Sequence, residues 1–152
     1  MAEAKKRLTD EEYQFIFSRA VRLCLDFIIV KDNKMLLAKR DIEPCKGFWS
    51  LPGGMVRHQE SIDEASQRII QNELGLKIRE KKLIGYMEFP DEINKDGVKI
   101  HSVSMAFLTT LEDGEIKGSE QAHEIEFFEA LPEKVHPTQA EFLKERWEEI
   151  VV

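Results

Sequence analysis

The chain has 152 residues, of which 42% are hydrophobic and 34% are charged, and its formal net charge is −7. These proportions are typical of a folded globular protein and exclude a disordered chain. The negative charge argues against a nucleic-acid or membrane-surface protein, which needs a basic face, and no apolar run approaches the roughly 18 residues of a membrane span.

The two cysteines lie in unlike surroundings, Cys24 in an apolar run and Cys45 in a polar stretch. This is neither a disulfide framework nor a zinc pattern. Residues 1–15 lack the apolar stretch of a signal peptide. We therefore expect a cytoplasmic protein with a single domain over residues 1–152, without nucleic-acid or membrane partners.

In the first part of the chain, the pattern predicts one short helix and two strands. Thr9 and Glu12 have the spacing of a capping box, which predicts a helix that begins near Asp10. The apolar run over residues 21–30 predicts a buried strand, and the turn KDNK leads into a second strand over residues 35–40.

The rest of the chain predicts two longer helices and further strands. Residues 41–54 form a loop rich in Gly and Pro, and residues 61–74 have helical apolar spacing that Gly75 ends. The remaining elements are strands over residues 82–90, 98–111 and 123–131 and a final helix over residues 136–152. This order predicts an α+β fold in which helices cover a mixed sheet.

The helix that follows the glycine-rich loop carries a reduced set of acids. A glycine-rich loop that enters a helix offers backbone groups to a phosphate or a metal-bound ligand. Ile69, Asn72 and Glu73 have the spacing of one helix face, and three carboxylates there would hold several ions. Glu73 alone can hold one Mg²⁺ if a substrate diphosphate completes its shell. The alternative is that Glu73 is a solvated helix residue that binds no ion.

The spacing from Gly54 through Glu60, Arg68 and Glu73 to Gly75 resembles the Nudix box, G-x5-E-x7-R-E-U-x-E-E-x-G-U, where U is aliphatic. Two of its acids are replaced, by Ile69 and Asn72. The GDP-mannose mannosyl hydrolase branch departs in the same way, and the similarity to it extends to LDFI at 25–28, KR at 39–40 and VH at 135–136. Met55 replaces an Arg of that branch, so the base and the sugar stay open.

The resemblance implies a Nudix fold, with a mixed β-sheet sandwiched between α-helices. It implies Mg²⁺ as cofactor, with Mn²⁺ as the alternative, a small nucleotide substrate and a homodimer. The implied metal ligands are Gly54, Glu73 and Gln121, and Glu60 is expected to act behind them. The branch has this Gln directly before its catalytic His, but Ala122 stands there and Gln121 lies one residue earlier.

His123 matches the catalytic His of the branch and is the candidate base. An imidazole titrates near neutral pH, so it can accept a proton from water. The alternative is a surface His at the start of a strand.

Asp26, Lys39 and Arg40 match family positions that handle the nucleotide and its departing diphosphate. A carboxylate inside the apolar run LCLDFIIV needs a partner, which favours a functional Asp26 over a strand-edge acid. Arg40 has a donor fork suited to phosphate oxygens, and the alternative is a solvated Arg.

Arg68 and Glu60 each have two readings. Glu64 lies four residues before Arg68, which predicts a helical ion pair, whereas the family Arg braces the box acids and contributes to the substrate site. Glu60 can instead complement the helix dipole as an N-terminal charge.

Three functions follow as hypotheses. The first is Mg²⁺-dependent hydrolysis of a nucleoside diphosphate linked to a sugar, as in GDP-mannose, by attack at the anomeric carbon. The second is an ordinary Nudix pyrophosphohydrolase that cleaves the P–O–P link of a substrate such as ADP-ribose. The third is a Nudix module that binds a nucleotide sugar without cleaving it.

Overall fold

The computed structural model describes residues 7–43, 45–117 and 122–151, without the side chains of residues 122 and 123. The elements in chain order are α1 Asp10–Phe17, β1 Arg22–Lys31, β2 Lys34–Arg40, β3 Trp49–Ser50, β4 Gly53–Met55, α2 Ile62–Leu74, β5 Ile78–Ile93, β6 Lys99–Leu111, β7 Ala122–Phe128 and α3 Pro137–Ile150. The predicted helices and long strands are present. The stretch predicted as a loop over residues 41–54 contains the short strands β3 and β4, whose two or three residues carry too little pattern to be recognised. In the described part of the chain, no helix is long and apolar enough to cross a membrane.

One mixed sheet organises these elements. The strands follow the order β3-β2-β1-β6-β5, with β4 paired to β1 and β7 paired to β2. Strands β1 and β6 are parallel, and the other pairs are antiparallel. Because side chains alternate along a strand, β1 sends Leu25 and Phe27 to one face and Asp26 and Ile28 to the other.

A helix covers each face of the sheet. Leu25 and Phe27 pack in a core with Ile70 of α2, whereas Ile28 packs in a second core with Leu143 of α3. The predicted α+β architecture, a mixed sheet between helices, is confirmed. It places Asp26 on the side that α3 covers.

The connection between β1 and β2 is a two-residue hairpin. Asp32 and Asn33 have φ angles of 52° and 62°, and Lys31 pairs with Lys34. Two successive left-handed residues give a type I′ turn, which Asp and Asn tolerate better than bulkier residues. The predicted turn is therefore confirmed.

The N-terminal helix α1 is held by polar contacts. Its predicted capping box is present, since Thr9 and Glu12 exchange hydrogen bonds. Arg22 Nη1 donates to Tyr13 Oη over 2.6 Å, and Gln14 Nε2 donates to Asp96 Oδ2 over 2.7 Å. No residue of α1 is buried. Its apolar side chains therefore remain available to another surface.

Candidate active site

The glycine-rich loop approaches β1 closely at Gly53. Strand β4 pairs antiparallel with β1, so that Gly53 lies opposite Asp26. A Cβ atom on Gly53 would lie 2.3 Å from Asp26 Oδ1 and 2.4 Å from the Leu25 carbonyl oxygen. Real Cβ atoms do not approach so closely, and the second obstacle is backbone. This position therefore requires glycine.

Asp26 is a buried carboxyl group beside this loop. Its side chain accepts a hydrogen bond from Ser104 Oγ at Oδ2 over 2.6 Å, and the residue is 8% exposed. Burial raises the pKa of Asp26 to about 6, against the Ser104 hydrogen bond and the charges of His136 and Arg40, which lower it. The partner expected for this carboxylate is thus Ser104. A carboxyl group with this pKa can exchange a proton near neutral pH.

Arg68 and Glu60 brace the loop that leads into α2. Arg68 Nε donates to Glu60 Oε2 over 2.7 Å, and its Nη2 donates to Glu60 Oε1 over 2.9 Å and to the Met55 carbonyl over 2.7 Å. The Arg57 amide also donates to Glu60 Oε1 over 2.9 Å. The hydrogen bonds from Arg68 lower the pKa of Glu60 despite its burial.

These contacts correct one prediction. The ion pair of Arg68 is made with Glu60, and no ion pair with Glu64 is found among the described residues. The guanidinium turns toward the loop because two carboxylate oxygens and a carbonyl bind it there, which one exposed acid four residues away cannot match. Both oxygens of Glu60 are engaged, so it is suited to hold the loop rather than an ion.

The three residues that share the helix face of Glu73 differ in their exposure. Ile69 is 3% exposed and belongs to the core, where its Cγ1 would lie 3.1 Å from a Cβ on Gly54. Asn72 is exposed and Glu73 is half-buried. Ile69 is therefore a packing residue beneath the loop and not a member of a ligand face, because an aliphatic side chain is more stable against the sheet than in water.

The described residues fit one divalent ion better than several. Glu73 carries a carboxylate and Gly54 a backbone carbonyl, which are the kinds of oxygen donor that Mg²⁺ accepts alongside water and substrate. The remaining box acid, Glu60, is occupied by Arg68. The third expected ligand, Gln121, lies outside the described residues.

Two cationic residues lie at the end of β2. Lys39 pairs with Trp49 of β3 and with Glu124 of β7. Lys39 Nζ lies 4.0 Å from Glu124 Oε1. Arg40 is half-buried and near enough to Asp26 to lower the pKa of its carboxyl. Arg40 therefore acts on Asp26 through its charge.

The backbone of His123 lies in β7, beside the same end of β2. Arg40 pairs with Ala122 and Lys39 pairs with Glu124, with a shift in register between them. The side chain of His123 lies outside the described part of the chain. Its role as base stays a prediction, although the strand expected there is present.

A pair that the sequence did not reveal joins α3 to β5. His136 is the N-cap of α3, and its Nε2 lies 3.0 Å from Glu92 Oε1. The Thr138 amide donates to its Nδ1 over 3.3 Å, and the Phe89 ring lies 5.1 Å away between centroids. The sequence signal was an HP pair at a helix start, which predicts a cap but names no partner.

Comparisons with known proteins define the class of this site. The family described as NUDIX domain matches residues 22–148. The chain therefore belongs to the Nudix hydrolases, which act on small nucleotide substrates with a divalent metal ion, as the resemblance implied.

Individual relatives support the same assignment. The chain is 39% identical over 119 residues to an ADP-ribose pyrophosphatase of Methanocaldococcus jannaschii, covering 78% of this chain and 67% of the relative. It is 30% identical over 133 residues to the low-salt glycan biosynthesis protein Agl8 of Haloferax volcanii, covering 86% and 85%. A MutT NUDIX hydrolase from Burkholderia pseudomallei superposes with a TM-score of 0.71 at 28% identity, over 80% of this chain and 95% of that one. The narrower resemblance to GDP-mannose hydrolases stays a prediction.

Asp26 should give the protein a distinctive dependence of stability on pH. Because its folded pKa of about 6 lies above the ordinary 3.8, folding favours the protonated form, and this contribution is lost as pH rises through 6. Replacing Asp26 by Asn should remove that loss. Urea titrations would measure the unfolding free energy of both proteins at pH 4 and pH 7. From the lower to the higher pH, the difference between Asp26→Asn and the unchanged protein should shift by about 2 kcal/mol in favour of the variant.

Asp91→Asn is the matched control, because Asp91 is an exposed carboxylate on β5. Its stability should follow the unchanged protein across the same pH range. Parallel curves for Asp26→Asn and the unchanged protein would show that Asp26 ionises normally in the folded state.

Proposed function

We propose that this protein hydrolyses a nucleoside diphosphate linked to a sugar, of the GDP-mannose type, by attack at the anomeric carbon. The observation that carries the proposal is the reduced carboxylate set at the glycine-rich loop. Ile69 is in the core and both oxygens of Glu60 accept from Arg68, so that Glu73 is the box carboxylate expected to bind the metal ion.

This set suits carbon attack better than phosphorus attack. Attack on phosphorus brings water to a centre crowded by anionic oxygens, and several ions and a carboxylate base assist it. Attack at the anomeric carbon expels the whole nucleoside diphosphate, so charge needs to be stabilised only on the departing group. A bound Mg²⁺, for which Mn²⁺ can substitute, would neutralise part of that charge.

Side chains of the protein would bind the substrate, position the loop and accept the proton. Arg40, beside Lys39 at the end of β2, would hold diphosphate oxygens through its donor fork. Asp26 would accept a hydrogen bond from the nucleotide sugar, close to the positive charge of Arg40. His123 would take a proton from the attacking water. Arg68 would position the loop, since its observed contacts are with Glu60 and the Met55 carbonyl.

The relatives support the substrate class. ADP-ribose, the substrate in the name of the Methanocaldococcus relative, is itself a nucleoside diphosphate linked to a sugar. The Haloferax relative is named for glycan biosynthesis, a process that consumes activated sugars. A nucleotide sugar is compatible with both names, although only the Methanocaldococcus relative is named for a substrate.

A second candidate is cleavage of the P–O–P link. The 39% identity to an ADP-ribose pyrophosphatase favours it directly. A third, binding without turnover, is favoured by the two replaced box acids. The three candidates predict different products from the same substrates.

Turnover of GDP-mannose with Mg²⁺ in oxygen-18 water should therefore place the label in the released mannose, as mass spectrometry would show. ADP-ribose, which carries its diphosphate on ribose C5 and not on the anomeric carbon, should not be cleaved. Label in a phosphate product would contradict carbon attack and support pyrophosphohydrolysis. Thermal stabilisation by these ligands without any product would support the binding module instead. His123→Gln should slow turnover roughly 100-fold or more while KM changes little.

His101→Gln is the matched control for this variant. His101 is exposed on β6, and strand alternation directs it away from the face of Ser102 and Ser104. Its turnover should equal that of the unchanged protein. A normal rate for His123→Gln would remove His123 from the reaction.

We also propose that two copies pair through the N-terminal helix. Phe15 is 64% exposed on α1, and Val21 and Leu23 are exposed at the following strand. An apolar patch of this kind commonly marks an interface. Light scattering should give the mass of a dimer, and Phe15→Glu should reduce it to one chain, whereas Tyr86→Glu on β5 should not. A single-chain mass for the unchanged protein would contradict pairing.

A further inference from the structure

Three potential metal ligands from separate parts of the sequence meet beside the sheet. Cys45 lies in the segment after β2, Glu92 lies near the end of β5, and His136 caps α3. One ligand atom from each, a sulfur, a carboxylate oxygen and an imidazole nitrogen, lies within 4.8 Å of the other two. His136 Nε2 and Glu92 Oε1 are already 3.0 Å apart.

We propose that Cys45, Glu92 and His136 form a binding site for a thiophilic divalent cation of the Zn²⁺ class. Sulfur, nitrogen and oxygen together are a donor set of Zn²⁺, whereas Mg²⁺ prefers oxygen alone. Around a tetrahedral Zn²⁺ such atoms lie about 3.4 to 3.6 Å apart, given ligand distances of about 2.0 to 2.3 Å. Binding would therefore require shifts of about 1 Å or less: the Cys45 sulfur would move closer, and His136 Nε2 and Glu92 Oε1 would separate slightly.

The surroundings hold His136 in place. His136 is 8% exposed, and its ring packs edge-on against Phe89. The His136 amide donates to the Trp49 carbonyl over 3.0 Å, which fixes the start of α3 against β3. Cys45 is only half-buried, so an ion can reach the site from solvent. Three protein ligands leave one position for water.

The hydrogen bonds of His136 identify the change that binding requires. When the ring is neutral, its Nδ1 accepts from the Thr138 amide over 3.3 Å, so that its proton is on Nε2 and is directed at Glu92. An ion on Nε2 needs the proton on Nδ1, and the Thr138 hydrogen bond is lost. One long neutral hydrogen bond is worth roughly tenfold in affinity, whereas structural zinc sites have dissociation constants below about 10⁻⁷ M. Binding therefore outweighs the loss.

This site is separate from the one expected to hold Mg²⁺. It contains neither Glu73 nor the Gly54 carbonyl, and it requires no nucleotide. His136 and Arg40 both act on the Asp26 carboxyl, and Arg40 and Glu92 both act on the Cys45 thiol, so the new site adjoins the candidate active site. An ion bound there would link the Cys45 segment, β5 and the start of α3 beside the candidate active site.

Cobalt is a suitable probe because its bond to a thiolate gives a charge-transfer absorption band. The full chain, stripped of metal and held in excess Mg²⁺, should bind one equivalent of Co²⁺ with such a band, and one equivalent of Zn²⁺ should displace it. Cys45→Ser should abolish the band and weaken Zn²⁺ binding at least 100-fold. Nitrogen-15 NMR should show the His136 proton move from Nε2 to Nδ1 as Zn²⁺ is added.

Cys24→Ser is the matched control, since Cys24 is the other free cysteine and is buried in β1. It should keep the band. Glu92→Gln, which leaves both cysteines and the cap of α3 intact, should weaken Zn²⁺ binding at least tenfold. Absence of the band, its survival in Cys45→Ser, its loss in Cys24→Ser, or binding of Zn²⁺ only at millimolar concentration would overturn the proposal.

Discussion

The site depends on the close approach of strand β4 to strand β1, which only a residue without a side chain permits at Gly53. A Cβ there would collide with both the Asp26 carboxyl and the Leu25 carbonyl. Hydrogen bonds on either side keep the strands together, from the Phe27 amide to the Pro52 carbonyl and from the Val56 amide to the Leu23 carbonyl. The glycine-rich loop is thereby fixed directly over a buried carboxyl group that titrates near neutral pH.

Two further contacts extend this constraint to the helices. Arg68 ties Glu60 and the Met55 carbonyl to α2, while Gln139 of α3 accepts a hydrogen bond from the Leu51 amide over 2.8 Å. The loop is thus held from both faces of the sheet. An Ile at position 69 adds apolar packing beneath Gly54 where the Nudix box has an acid, so the same substitution that removes a metal ligand strengthens the support of the loop.

The sequence predicts those features that depend on local pattern. The structure contains three features that the sequence predicts, because each is set by neighbouring residues. They are the strands β1 and β6 at the apolar runs, the capping box at Thr9, and the loop and helix that span the box from Gly54 to Gly75. Features set by distant residues were missed or misread. Arg68 prefers Glu60 to Glu64. His136 meets Glu92 only after β5 and α3 pack together. The roles of His123 and Gln121 stay predictions.

Native-state hydrogen exchange in Gly53→Ala tests the central constraint most directly, because it needs neither substrate nor metal. If β4 requires glycine, the Phe27 and Val56 amides should lose protection by roughly 30-fold, as expected for about 2 kcal/mol of overpacking. Gly97→Ala is the control, since nothing lies within 4 Å of its added Cβ and only its φ of +76° is strained. That variant should leave both amides protected. Unchanged protection of Phe27 and Val56 in Gly53→Ala would contradict the account.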